Sequence, residues 1–388
     1  MNIFRTLKSS QLLMLAYIFL SCCLVLYSYT QVDLNLTLSR ASFVQTIQKA
    51  FQYIGYYNRP LSTALYTGIL CAMFGLYAWA ISLAKKGTLT LKVIWRIIIV
   101  TTCLVIFSYP AAFSYDFFNY MFTAKTIMVY HKNPYVVIPL QFAGIDPWTN
   151  FMRWTHLSSA YTPFWIALTL IPYVLGLGYF LTVMFGIKFL VAGFYLLSCY
   201  ALVKVMEIVD KRSLPLSLVV FALNPLILIE SLVSGHNDIV MMAFVLVALW
   251  YLHSKRVLAS WWYLTLSVAA KFMTIVLIPI FYLKENRKLM LLAMVSGLGI
   301  VIFRRGEILP WYWVWIVPFV AMVPDMKELT IISAFFSFGL LTRYATFIYV
   351  GSYDPWVIQT NYWLPYAFLG AAIFWVIIKH KGRLRHMA

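Results

Sequence analysis

The chain has 388 residues, of which 63% are hydrophobic and 11% are charged, so an ordinary soluble domain is excluded. Its net charge of +18 could suggest a nucleic-acid partner, but the basic residues lie in short clusters between apolar runs. That distribution is the positive-inside pattern of membrane proteins, and the 18% aromatic content fits many interfacial Tyr and Trp side chains. We therefore expect an integral protein of the lipid bilayer that binds no nucleic acid.

The apolar runs predict an all-α polytopic membrane protein with about 12 transmembrane helices and additional amphipathic or re-entrant helices. A full span needs about 20 apolar residues, so the shortest runs meet that requirement least well. The chain is expected to form one membrane domain over residues 1–388, with outer loops at 31–61 and 114–163. The candidate spans, in chain order, are 11–30, 62–83, 93–113, 185–206, 215–233, 239–253, 258–270, 272–283, 288–303, 308–324, 329–350 and 362–379.

The basic clusters predict the orientation of these spans, because such clusters stay on the cytoplasmic side. Both termini are then inside, and the stretch 164–181 cannot cross, since it would invert everything after it. The stretch 257–283 must cross twice, as two short helices that meet near Ala270 and Lys271. Arg304 and Arg305 fall outside in this scheme. The clusters are Arg5/Lys8, Lys85/Lys86/Lys92/Arg96, Lys204/Lys211/Arg212, Lys255/Arg256, Lys284/Arg287/Lys288 and Lys379/Lys381/Arg383/Arg385.

Asp116 opens the longest polar stretch of the chain, directly after a predicted span. A carboxylate there is costly unless it meets water or substrate, so it is a candidate functional group. Spacings of 3 and 4 place a set of polar residues on one helix face, namely Asn119, Thr123, Thr126 and Tyr130. The segment is therefore expected to be an amphipathic helix on the outer leaflet. Asp116, at its N-terminal end, is either a helix cap or a catalytic group.

A second polar cluster, Gly235-His236-Asn237-Asp238, interrupts a later apolar stretch. Glu230 lies seven or eight residues before Asn237 and Asp238 and would share their face if a helix persisted. An unpaired carboxylate within a span is expensive, which makes this cluster a second candidate site. Three consecutive side chains form a poor ligand set for a metal ion, so no metal is predicted here.

Two further features each have two interpretations. Lys271, between two short spans, either binds a lipid phosphate or extends to the membrane interface. Trp311 and Tyr312 either line a sugar subsite or belong to the aromatic belt of the membrane.

Taken in order, these motifs resemble the polytopic C-type glycosyltransferases that use polyprenyl-phosphate sugars, in particular the bacterial polyprenyl-phosphomannose-dependent mannosyltransferases. The matching elements are Tyr-Asp-x-x-x-Tyr with Asn-Pro-Tyr (115–135), Tyr-x-Pro (161–163), Asn-Pro-Leu with Glu and Gly-His-Asn-Asp (224–238), Ala-Ala-Lys-Phe (269–272) and Pro-Trp-Tyr (310–312).

The resemblance implies that Asp116 is the general base. The acid-x-acid pair of some relatives is absent, because position 118 is Phe, so neither a divalent metal nor another cofactor is expected. The residues expected to bind substrate are Asn119, Tyr120, Asn133, Tyr135, Tyr161, Glu230, His236, Asn237, Asp238, Lys271, Trp311 and Tyr312.

The expected reaction is transfer of a hexose, most simply mannose, from a polyprenyl-phosphate sugar to a hydroxyl of a glycan or lipid. The site would face the periplasm or exterior of the plasma (inner) membrane, where a lipid must deliver the donor. Lys271, Arg153 or Arg343 could support the departing phosphate, and a one-step displacement would invert the anomeric carbon. The alternatives are a transporter or flippase, which should show repeated halves and polar groups near mid-membrane, and a non-enzymatic membrane scaffold.

Overall fold

The computed structural model describes residues 9–283 and 286–385, and within these ranges the regular elements are helices only. Arg5, Lys8 and Lys284, from the predicted cytoplasmic clusters, lie outside the described residues. The helices are α1 Ser9–Thr30, α2 Ser42–Gln52, α3 Arg59–Lys85, α4 Leu91–Val105, α5 Asp116–Met128, α6 Pro163–Leu175, α7 Phe180–Val209, α8 Leu214–Ala222, α9 Pro225–Val233, α10 Asp238–His253, α11 Val257–Ala270, α12 Ile278–Leu283, α13 Arg287–Arg305, α14 Val317–Ala321, α15 Lys327–Val350 and α16 Pro355–Arg385.

Five of these helices, α1, α3, α7, α15 and α16, are long and apolar enough to cross a membrane. Helices α8 and α9 form a pair bent by 47° that counts as a sixth span if taken together. The protein is thus an all-helical polytopic membrane protein, as expected. The count of about 12 spans is not confirmed, because several expected spans, such as α10 and α11, form apolar helices of only 10–17 residues.

Helix α10 forms the centre of the core. It packs against α7 on one side and α11 on the other, and its residues from Asp238 to Leu249 are buried. Its sequence is apolar around the whole circumference, which is typical of a helix covered by protein on all sides. The polar cluster at 235–238 therefore lies at the N-terminal end of this buried helix, which begins at Asp238.

The stretch 164–181, which the charge pattern predicts not to cross the membrane, is divided between helix α6 and the start of α7. Helix α6 has 13 residues, which is about 20 Å of helix and less than the ~30 Å of a bilayer core. The chain reverses at Leu177 and Gly178, both in the left-handed region, and α7 begins at Phe180. Helix α6 then packs back on α7. The length supports an element that does not cross, and its side of the membrane stays a prediction.

The break predicted near Ala270 and Lys271 is confirmed. Helix α11 ends at Ala270, Lys271 is extended with φ −163° and ψ 132°, and a 3-10 segment Phe272–Leu277 continues into α12. The backbone at Lys271 therefore interrupts the helix and turns its side chain away from the helical register.

Helix α5 begins at Asp116, but it does not lie on a lipid surface as expected. Eight of its residues are buried, including both Phe117 of the apolar face and Thr123 of the polar face. The loop that follows folds over the helix, with Phe151 stacked edge-on to Phe118 and Phe142 to Phe122. Packing of this aromatic loop against the helix removes it from the lipid, which the helix pattern alone could not show.

Candidate functional site

The site is a cavity of about 1650 Å³. Its lining comes from α5, the 235–238 cluster, the break at Lys271, the end of α13, the 3-10 segment Pro310–Trp315, and the α15–α16 region. Nine of the residues predicted from the sequence line it, namely Asp116, Asn119, Tyr120, Tyr161, His236, Asn237, Lys271, Trp311 and Tyr312. The sequence motifs, spread over nearly 200 residues, therefore converge on one space.

Asp116 is the first residue of α5, and its carboxyl group faces this cavity. The residue before the helix makes no side-chain cap, and the Trp154 side chain, which also lines the cavity, favours the ionised form of the Asp116 carboxyl group and so lowers its pKa. Loss of hydration raises the pKa of Asp116 to about 6, while Lys271 lowers it and Asp238 raises it. A carboxylate poised near neutrality can both accept and hold a proton, as a general base must.

Asp238 and Lys271 form a partly buried ion pair that acts electrostatically on Asp116. The Lys271 Nζ lies 2.6 Å from Asp238 Oδ1, and Trp315 Nε1 donates to the same oxygen. Asp238 is fully buried at the N-terminus of α10, where the helix dipole favours its negative charge. Lys271 therefore points into the protein and does not extend to the membrane interface. Asp238 does not line the cavity itself; it holds the amine that does.

His236 is fixed between a carboxylate and an aromatic ring. Its ring stacks on Trp311 with centroids 4.3 Å apart, and its Nε2 lies 3.3 Å from Glu230 Oε2. Burial, and secondarily Lys271, lowers the pKa of His236 well below its ordinary value, so the imidazole is neutral at pH 7. Glu230 is fully buried behind it and accepts a hydrogen bond of 2.9 Å from Tyr344. Glu230 and Trp311 thus hold the His236 ring in place at the cavity lining.

The aromatic residues of the site are interior groups. Tyr312 is buried, and its ring packs on Trp315 at 4.7 Å. Tyr120 contacts Tyr161 at 4.6 Å and accepts a hydrogen bond from the backbone of Asn237. Trp311 and Tyr312 both line the cavity, which favours the interpretation as a sugar subsite, and their contact with substrate stays a prediction.

Three other predicted residues stand away from the cavity lining. Asn133 accepts from the backbone N–H of Tyr135, and the Tyr135 hydroxyl donates to the carbonyl of Tyr161. Glu230 lies behind His236, as described above. The roles of Asn133 and Tyr135 visible here are to shape the loop, and substrate contact by these side chains stays a prediction.

The cations suggested for the phosphate are already paired. Arg153 binds Asp33 at 3.1 Å, and Arg343 binds Glu307 at 2.7 Å. Arg305 also lines the cavity, and no carboxylate of the described residues lies within ion-pair distance of it. Sequence reasoning placed Arg305 outside as an exception to the charge pattern. In the structure Arg305 borders the cavity, so a role at the site would account for an arginine at a position that departs from the charge pattern.

Lys188 is a buried cation close to the site that the sequence analysis did not single out. It lies in the middle of α7, only 2% exposed, and its amino group donates to the carbonyls of Leu232 and Val233 and to Ser108. These carbonyls end α9, one residue before Ser234 and the 235–238 cluster. The signal was available in the sequence, since a lone lysine inside an apolar run is itself a functional hypothesis.

Gly235 permits the approach of α5 to this cluster. Its φ is +68°, and a Cβ there would lie 2.7 Å from the Phe117 ring. Any larger residue would strain the backbone and displace the helix that begins with Asp116. The two motifs that carry the site are therefore in direct van der Waals contact.

The fold and the site define a polytopic membrane protein with an acid-bearing, aromatic-lined cavity, an arrangement suited to a membrane enzyme. Residues 20–285 match the sequence model of the MptA_B family, described as alpha-(1->6)-mannopyranosyltransferase, N-terminal domain. Because the match covers more than half of the chain, this protein belongs to that mannosyltransferase family. Comparisons with curated proteins and with solved structures each gave no match.

Proposed function

We propose that this mannosyltransferase takes mannose from a polyprenyl-phosphate donor and transfers it to a hydroxyl of a glycan or glycolipid on the outer side of the plasma (inner) membrane. The observation that carries the proposal is Asp116, a carboxylate on the cavity wall whose pKa is raised to about 6, beside Lys271. The remaining steps follow from the chemistry of glycosyl transfer.

In the proposed reaction, Asp116 accepts the proton of the acceptor hydroxyl while the oxygen of that hydroxyl bonds to the anomeric carbon of mannose. The bond from that carbon to the phosphate oxygen breaks, and the electron pair leaves with polyprenyl phosphate. A single displacement inverts the configuration at the anomeric carbon. The developing negative charge needs a nearby cation, and Arg305, at the end of α13, lines the cavity with no carboxylate partner among the described residues. The mechanism uses no metal ion.

A lipid carrier is supported by the apolar part of the lining. This part comes from the 3-10 segment that contains Phe272 and Ile275, and from α13, with Gly297 and Ile300. The two elements pack closely, since a Cβ on Gly297 would lie 2.6 Å from the Met273 side chain. Helix α13 ends at Arg305, so an apolar strip leads to a free cation, which suits an isoprenoid tail with a phosphate at its end.

The donor requirement is tested with purified protein in lipid nanodiscs. We expect transfer from synthetic polyprenyl-phosphate mannose and none from a nucleotide-linked mannose, with inversion detected by NMR of the product. Arg305→Gln should raise the KM for the lipid donor at least about tenfold, the effect of losing one charged contact. Arg304→Gln, at the exposed neighbouring position outside the cavity lining, is the matched control. Use of the nucleotide donor, or equal effects of the two variants, would contradict the proposal.

A further inference from the structure

One wall of the cavity lies outside the part of the chain that matches the family. The match ends at residue 285, and the lining continues with residues of the loop after α13 and of α15, α16 and their connection. We refer to Glu307, Arg343, Tyr353, Asn361 and Tyr362 as the α15–α16 wall. Its composition differs from that of the apolar strip on α13.

The charges of the α15–α16 wall cancel. Arg343 binds Glu307 at 2.7 Å and donates to the carbonyl of Ile308 at 2.7 Å. A phosphate at this wall would meet the Glu307 carboxylate, which is half-exposed. A sugar, by contrast, offers hydroxyl groups that both donate and accept, and the Arg–Glu pair presents both kinds of partner side by side.

Aromatic rings complete the wall. Tyr353 is 59% exposed and stacks on Phe347 with centroids 4.6 Å apart, and Tyr362 also reaches the cavity. The turn that presents Tyr353 is held close to Arg59, since a Cβ on Gly351 would lie 2.2 Å from the guanidinium. An exposed, braced ring among polar groups is the usual composition of a site for a neutral organic ligand.

This wall is within electrostatic reach of Asp116. Loss of hydration raises the pKa of the Tyr353 phenol; Arg343 lowers it, while Glu307 and Asp116 raise it further. The carboxyl group of Asp116 is also influenced by Lys271 and Arg305. Asp116 therefore shares the cavity with, and is electrostatically coupled to, both Arg305 at the end of the apolar strip and Tyr353 on the α15–α16 wall.

We propose that the α15–α16 wall binds the acceptor, a neutral oligosaccharide of mannose, and so presents its terminal hydroxyl to Asp116. This inference rests on the proposed function, in which the lipid donor occupies the apolar strip. It assigns acceptor recognition to the α15–α16 wall, donor binding to the apolar strip and Arg305, and proton transfer to Asp116.

The test is calorimetric binding of α-1,6-linked mannotriose to the purified protein, without donor. We expect wild type to bind and Tyr353→Ala to weaken the affinity about tenfold or more, the effect of removing one buried contact ring. Tyr349→Ala is the matched control, because Tyr349 is 54% exposed but does not line the cavity. Glu307→Gln, which keeps side-chain size and leaves the hydrogen bond from Arg343 to the Ile308 carbonyl in place, should weaken binding as well.

The outcomes separate the two proposals. Absence of mannotriose binding by wild type, or equal affinities of Tyr353→Ala and Tyr349→Ala, would overturn the acceptor assignment. In transfer assays, Tyr353→Ala should raise the KM for acceptor and leave the KM for lipid donor unchanged, and a rise in donor KM alone would also overturn it. Failure of wild type to use polyprenyl-phosphate mannose, despite binding mannotriose, would instead refute the proposed function.

Discussion

At the scale of single residues, the balance of charges around Asp116 leads to a pH dependence. The group acts as a base only when ionised, and its pKa is raised to about 6 by loss of hydration. We therefore expect kcat/KM to rise about tenfold per pH unit below pH 6 and to level off above it. The measurement is a pH–rate profile on purified protein, and a profile that is flat from pH 5 to 8 would contradict the assignment.

Lys271 provides a signed test of the same pKa. The positive charge of Lys271 lowers the pKa of Asp116, whereas the negative charge of Asp238 raises it. Lys271 also pairs with Asp238 and so offsets the effect of that negative charge. Lys271→Met removes the positive charge and leaves the charge of Asp238 unpaired. Both changes raise the pKa of Asp116, so the acid limb of the profile should move to higher pH. A shift to lower pH, or none, would show that these groups do not act on the titrating base.

Lys188 is expected to position the 235–238 cluster. Lys188→Met keeps the length of the side chain but leaves the Leu232 and Val233 carbonyls and Ser108 without their donor. Each buried group left unpaired costs about 1–3 kcal/mol, so the melting temperature and kcat should both fall. Lys204→Met, on the same helix in an exposed pair with Glu207, is the control. Partial rescue of kcat by Lys188→Arg is expected, and full activity of Lys188→Met would refute the role.

The sequence could show which polar residues line the cavity, but not which of them pair with one another. Asp116, His236 and Lys271 were identifiable because polar groups are rare in so apolar a chain. Whether Lys271 binds Asp238 or extends to the membrane surface depends on contacts between residues 33 positions apart, which no local pattern encodes. The same holds for Trp154, which does not stand out in the sequence but lines the cavity with Asp116 and lowers the pKa of its carboxyl group.

At the scale of elements, the sequence predicted where helices begin and break better than it predicted what surrounds them. The start of α5 at Asp116 and the break at Lys271 are confirmed. The surface position expected for α5 is wrong, because the aromatic loop around Phe142 and Phe151 covers it. Amphipathic periodicity shows that two faces differ, but it does not say whether water, lipid or protein lies against them.

The orientation of the elements gives a further prediction. From the basic clusters, Lys211 lies inside, while Tyr179, in the turn before α7, and Ser352, before α16, lie outside. All three positions are exposed and suit single cysteines in a background without the five native ones. An impermeant maleimide applied to intact cells should label positions 179 and 352 but not 211. Labelling of 211 and 352 from the same side would refute the topology.

At the scale of the whole molecule, the number of spans was the least predictable property. The run 239–253 forms a helix of 16 residues that is buried in protein, whereas the run 258–270 forms a helix of 14 residues of which only a few are buried. Hydropathy cannot separate a helix surrounded by protein from one surrounded by lipid. The convergence of five distant motifs on one cavity was predictable only through the family resemblance, because topology alone placed them on one side but not together.

The central claim is that Asp116 is the general base of mannosyl transfer, and Asp116→Asn tests it most directly. Asn keeps the size and the capping capacity of Asp but cannot accept the proton. With polyprenyl-phosphate mannose and matched amounts of folded protein, we expect kcat to fall about 10²–10⁴-fold while donor affinity is retained. A transfer rate close to that of wild type would contradict the account.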